Sequence, residues 1–172
     1  GKCVARVDCI KRKDDKGQQF NRFFVHFKYW PNNELAQGVR EKLMNGKDIK
    51  KVINLGAKAA QLGTAFLCCP EAGTTEIHKQ YLLNEHKRKT KLTKAFSGRL
   101  ARGIVNKYIQ EMENKSILPF PAQNTLTTPL RRLSIKKNNG EFINLWAGKN
   151  FHKITSLNAN DLVMKLKEEL KD

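Results

Sequence analysis

Apolar and polar residues alternate from Cys3 to Ile10, the period-two pattern of a strand with one buried face. The charged run Lys11 to Gln19, with Asp14-Asp15-Lys16-Gly17 inside it, reads as a hairpin loop, and Phe20 to Phe27 as a second, aromatic-rich strand. Pro31-Asn32-Asn33-Glu34 is a helix-start signal in which Asn33 can cap, and Leu35, Val39 and Leu43 predict a helix over 34–43. Asn45-Gly46 breaks that pattern, and Ile49, Val52 and Ile53 predict a short helix ending at Leu55-Gly56. Ala59 to Cys69 is nearly continuous in apolar residues and predicts a strand buried on both faces.

From Pro70-Glu71-Ala72 a helix is expected, with Ile77, Tyr81 and Leu82 along it, then a strand over Thr90 to Ser97 and a helix from Arg99 to about Glu113. Leu118-Pro119-Phe120-Pro121 cannot be helical, because each proline lacks an amide and restricts the residue before it. Asn124 to Ile135 reads as a helix that Pro129 disrupts at its centre, and Asn138-Asn139-Gly140 as a turn. A last helix, Ala159 to Leu170, turns Leu162, Val163 and Leu166 inward.

The 172 residues suit one domain or a domain with a small appendage, and 40% hydrophobic with 28% charged residues is a globular composition. No apolar run reaches the roughly 18 residues a membrane helix needs, and the charged stretch after Gly1-Lys2-Cys3-Val4 is not a secretory leader. The net charge of +17 favours polyanions, RNA among them; the alternative is a set of solvated cationic faces. Cys3, Cys9, Cys68 and Cys69 form no Cys-x-x-Cys pair and no cluster with histidine, so no metal site is expected. Adjacent Cys68 and Cys69 read as small core residues, and free thiols point to a reducing compartment, the cytoplasm.

The candidate site is Gln61-Leu62-Gly63-Thr64, at the end of the apolar run. Gly63 lets a ligand approach the backbone closely, and the amides of Gly63 and Thr64 with the Thr64 hydroxyl can donate to a phosphate. A bend in a structural strand is the competing explanation.

Asn45-Gly46-Lys47-Asp48-Ile49, Leu55-Gly56-Ala57 and Gln61-Leu62-Gly63-Thr64-Ala65-Phe66-Leu67 resemble the last barrel strands of nitronate monooxygenases. Ala95-Phe96-Ser97-Gly98-Arg99, Ala101-Arg102-Gly103, Pro119-Phe120-Pro121, Gln123-Asn124, Leu126-Thr127 and Leu145-Trp146-Ala147-Gly148 follow in that family's order. The resemblance implies an α/β fold: the C-terminal portion of a (β/α)8 barrel with its helical extension, holding FMN. It implies that Gln61, Leu62, Gly63 and Thr64 bind the FMN phosphate end. The implied reaction oxidises an alkyl nitronate with O2 to a carbonyl compound and nitrite, a histidine taking the α-proton.

Two features depart from that pattern. Glu41-Lys42-Leu43 stands where the family has a Gly-Gly-Ile turn whose second glycine contacts FMN. The catalytic histidine has no counterpart: His26, His78, His86 and His152 lie in other contexts, so no catalytic residue is assigned. Two strands cannot close a barrel, and a complete one is not expected; a truncated or fused chain is.

Residues 1–43 are expected as a separate small α+β segment and 44–172 as the barrel-derived part. Phe23-Phe24-Val25-His26-Phe27 resembles the aromatic RNA-contacting strand of an RNA-recognition motif, as found in related proteins of large DNA viruses. That resemblance implies RNA as a partner, alternative to a nitronate. Strand alternation, however, puts Phe24 and Phe27 on opposite faces, and core packing is the competing explanation.

Overall fold

The computed structural model describes residues 5–13, 19–27, 42–55, 60–85 and 87–171. Strands β1 (Ala5–Lys13) and β2 (Gln19–Phe27) pair antiparallel in register from Ala5↔Phe27 to Lys13↔Gln19. Both strands lie where the alternation predicts them, and β1 runs three residues further into the expected loop. The register sets Cys9, Val7 and Ala5 opposite Phe23, Val25 and Phe27, and places Phe24 opposite Asp8. The helix expected over 34–43 falls outside the described residues except for Lys42 and Leu43, which are not helical.

Helix α1 (Gly46–Asn54) forms as the sequence predicts, because its first turn is capped twice. The Asp48 amide donates to Asn45 Oδ1 at 2.8 Å, and Asp48 Oδ2 accepts from the Met44 amide at 3.1 Å. Val52 is buried and Ile49 packs on the core, but Ile53 is exposed.

The run 59–69 is not a strand among its described residues. It makes a 3-10 turn at Thr64–Phe66 and further turns beyond it. Its backbone-to-backbone hydrogen bonds are local, Phe66 to Gly63, Leu67 to Thr64 and Cys69 to Phe66. A strand exists only where a neighbour completes its ladder. The apolar run correctly marks burial, since Ala65, Cys68 and Cys69 are core, but not extended backbone.

Pro70 to Ala72 form a turn, and helix α2 (Glu76–Asn84) starts later than predicted. Strand β3 (Thr90–Thr93) is shorter than the predicted 90–97. The helix predicted over 99–113 is instead strand β4 (Ala101–Ile104) followed by α3 (Lys107–Glu111). Tertiary pairing overrides helix propensity here. β4 pairs with β3 on one edge, and on the other Ile104 N donates to Leu145 O (2.8 Å) and Ala147 N to Arg102 O (3.1 Å).

Helix α4 (Ala122–Lys136) is continuous through Pro129, contrary to the expected disruption. Its first turns are anchored from outside the helix: Gln123 Nε2 donates to Ala95 O at 2.6 Å and Thr127 Oγ1 to Phe96 O at 2.6 Å. Those bonds seat α4 on the 94–98 turn, where Gly98 adopts φ +80 within contact of the Leu118 carbonyl. Asn138, at φ 50, makes the predicted turn. Helix α5 (Ala159–Lys171) buries Leu162 and Leu166 as expected but leaves Val163 exposed. One core joins Met44, Ala65, Leu82, Ile104, Leu145 and Leu162.

Candidate functional site

Gln61, Leu62 and Thr64 are half-buried and Gly63 is exposed, so the four predicted residues lie at the surface of the core. Leu62 packs against it. A Cβ built on Gly63 would meet nothing within 4 Å, so its main chain is open to a ligand. Among the described residues, neither the Gly63 nor the Thr64 amide donates a hydrogen bond to a protein group. The 3-10 turn, rather than a sheet, leaves these donors available.

The structure adds Gly148, which inspection of the Gly63-Thr64 stretch alone does not reveal. The Gly148 amide donates to Thr64 Oγ1 at 2.9 Å. A hydroxyl has one donor and two acceptor sites, so this bond leaves the Thr64 proton for another acceptor. Two residues on, Asn150 Nδ2 donates to the Lys42 carbonyl at 2.8 Å. Segment 148–150 thus ties the Gly63-Thr64 loop to the backbone at Lys42. The sequence signal was Leu145-Trp146-Ala147-Gly148, recognisable as a motif but without an assigned partner.

Half-buried Trp146 belongs to an aromatic cluster centred on the buried Phe96. Its ring meets Phe96 edge-on with centroids 5.8 Å apart, and Phe96 stacks at a tilt on Tyr108 at 4.7 Å. His78 Nε2 lies 3.1 Å from the Trp146 carbonyl. Only the tautomer protonated at Nε2 can make that bond, because a carbonyl accepts. Burial pushes the His78 pKa down to about 4, against the opposing effect of the Trp146 carbonyl. His78 is therefore a neutral donor, not a base poised near neutrality.

The remaining titratable groups are structural. Burial raises the Cys68 thiol to about 11 and the Cys69 thiol above its ordinary value, which keeps both protonated. Glu141 accepts from Tyr81 Oη (2.9 Å), Arg88 (2.7 Å) and the Lys107 amide (2.8 Å). Burial alone would raise its pKa, but the Lys107 amide, Arg88 and Tyr81 outweigh it and hold the carboxyl below its usual range. Tyr81, engaged with Glu141, is pushed up to about 12, chiefly by burial. Among the described residues no three metal-binding side chains cluster, and no helix is long and apolar enough to cross a membrane.

The sheet edge, the loop and the helical extension together resemble part of solved (β/α)8-barrel proteins. Nitroalkane oxidase from Streptomyces ansochromogenes superposes with a TM-score of 0.72 at 39% identity, covering 75% of this chain and 37% of that one. FabK from Thermotoga maritima gives 0.59 at 22% identity over 75% of this chain and 42% of that one, a likeness of fold alone.

Residues 42–169 match the family described as nitronate monooxygenase. A probable nitronate monooxygenase of Bacillus subtilis (strain 168) is 38% identical over 130 residues, which is 74% of this chain and 38% of that protein. One from Staphylococcus haemolyticus (strain JCSC1435) is 35% identical over 75% of this chain and 37% of its own length. The chain belongs to the nitronate monooxygenase family. It spans 38% of the length of the Bacillus relative.

Proposed function

We propose that this chain forms the FMN-phosphate-binding end of an oxidoreductase that oxidises alkyl nitronates with O2. The observation that supports it is the exposed, unobstructed Gly63 beside amides that donate to no described residue and a Thr64 hydroxyl whose proton is unclaimed. This donor set fits a phosphate: main-chain amides and a hydroxyl, with nothing acidic among Gln61, Leu62, Gly63 and Thr64.

When bound, the flavin supplies the redox chemistry, accepting the electrons that leave the nitronate. This chain's contribution is to bind and orient the phosphate end. His78 does not abstract the substrate proton, since its Nε2–H is committed to Trp146 and its burial disfavours the charged form. The proton-abstracting histidine belongs to barrel segments outside the part this chain matches. A cavity lined by Met44, Ala65, Leu162 and Leu166 includes neither Gly63 nor Thr64. The protonated, buried Cys68 and Cys69 suit a reducing compartment such as the cytoplasm.

Titration of the full chain into FMN, followed by flavin fluorescence, tests this reading. Saturable quenching is expected, weakened about tenfold by Gly63→Val, which places two methyl groups where the phosphate approaches. No saturable change with the unsubstituted chain rejects the proposal.

A further inference from the structure

The segment Leu145 to Gly148 has two working edges. Toward β4, Leu145 O accepts from Ile104 N at 2.8 Å and Ala147 N donates to Arg102 O at 3.1 Å. Main-chain groups of successive residues in extended chain point to opposite sides, so Trp146 O and Gly148 N face away from β4 together. On that second edge Trp146 O meets His78 Nε2 at 3.1 Å, and Gly148 N meets Thr64 Oγ1 at 2.9 Å. The two contacts are neighbours along one chain edge, and no other described group is bonded to that carbonyl.

We propose that His78 is a positioning residue for the Gly63-Thr64 loop: by holding the Trp146 carbonyl it fixes the Gly148 amide, which in turn fixes the rotamer of the Thr64 hydroxyl toward a bound phosphate. The inference rests on the phosphate-binding reading and assigns the loop's geometry to a residue on α2. His78 is well placed to transmit rigidity, because α2 is anchored in the core through Ile77 and Leu82. Trp146 is fixed from the other side by Phe96 and by Gly103, where a Cβ would lie 2.9 Å from the Leu145 carbonyl and 3.1 Å from the Trp146 ring. Without the Nε2–H donor, the Trp146 carbonyl loses its partner, and the planar peptide it shares with the Ala147 amide is held only by the bond to Arg102 O.

The experiment measures FMN and riboflavin affinity of the full chain by fluorescence, with melting temperature recorded for every variant. Riboflavin lacks the phosphate and controls for effects elsewhere. His78→Phe keeps a ring without the donor, His78→Asn carries an amide that stops short of the carbonyl, and His78→Gln places an amide nitrogen near the Nε2 position. FMN affinity is expected to fall about tenfold in H78F and H78N and to recover to within about twofold in H78Q, with riboflavin affinity unchanged. Thr64→Val removes the hydroxyl that the chain of contacts serves, so H78F added to T64V is expected to cost nothing further. Additive losses in the double variant, or equal losses for FMN and riboflavin, overturn the positioning role while leaving phosphate binding intact. An unsubstituted chain that does not distinguish FMN from riboflavin overturns the phosphate reading and the inference with it.

Discussion

Asn106 is 1% exposed, and its side chain makes three bonds: Nδ2 donates to the carbonyls of Gly140 (2.9 Å) and Ile143 (2.8 Å), and Oδ1 accepts from the Ile109 amide at 3.2 Å. Asn106→Ala leaves two carbonyls and an amide without partners at the start of α3, and roughly 2–4 kcal/mol of stability should be lost. Urea denaturation measures it, and a loss under about 0.5 kcal/mol would show that water replaces the amide freely. Asn106 is legible as a cap from its place before a helical pattern only once the helix start is known. The sequence reading put that start at Arg99 and so missed it. Gly63 and Thr64 are different: a glycine-threonine pair closing an apolar run is visible directly. The partner that orients Thr64 was not, because Gly148 is 84 positions away and contributes only a main-chain amide, which has no side-chain signature.

Elements whose causes are local were readable. α1 has its cap, Asn45, and Asp48 within four residues of each other, and α5 has apolar positions at helical spacing. Elements whose causes are distant were not. β4 exists because Leu145 and Ala147 pair with it, and the stretch 60–69 is not a strand because no such partner pairs with it. The contact between α1 and α5 belongs to the distant kind, and Gly46 is its fulcrum. A Cβ there would sit 2.5 Å from Glu169 Cβ and 2.6 Å from the Leu166 carbonyl, while the Gly46 amide donates to Glu169 Oε2 at 2.7 Å. Helix propensity favours alanine over glycine by about 1 kcal/mol, but relieving backbone overlap by moving α5 costs about 1–3 kcal/mol. The overlap should win: Gly46→Ala is expected to destabilise the chain and to raise hydrogen exchange in α5 before the β3–β4 sheet. Increased stability in G46A would mean that α5 is not seated on α1.

At the scale of the molecule, the described core from Met44 to Leu166 lies within the span 42–169 that matches the family, and His78 connects that core to its acid stability. Its ring is largely buried with no carboxylate opposing the shift, so the folded form holds the proton only below about pH 4, against an ordinary value of 6.5. A depressed histidine leaves the fold at full stability above the unfolded pKa. As pH falls from about 6.5 toward 4, the unfolded chain binds the proton first and stability drops, by at most about 1.4 kcal/mol per pH unit and less where solvent reaches the ring. Glu141 acts in a lower window. Its depressed carboxyl contributes stability above the ordinary value of 4.5 that is lost on acidification through its folded pKa. Among the described residues, the interval between pH 6.5 and 5 therefore reports on His78. His78→Gln keeps the amide-to-carbonyl bond but cannot titrate, so its unfolding free energy should stay flatter across that interval than that of the unsubstituted chain. Parallel curves for the two proteins, measured by urea denaturation at half-unit pH steps, would place the acid-sensitive group elsewhere and remove His78 from the buried edge of Trp146.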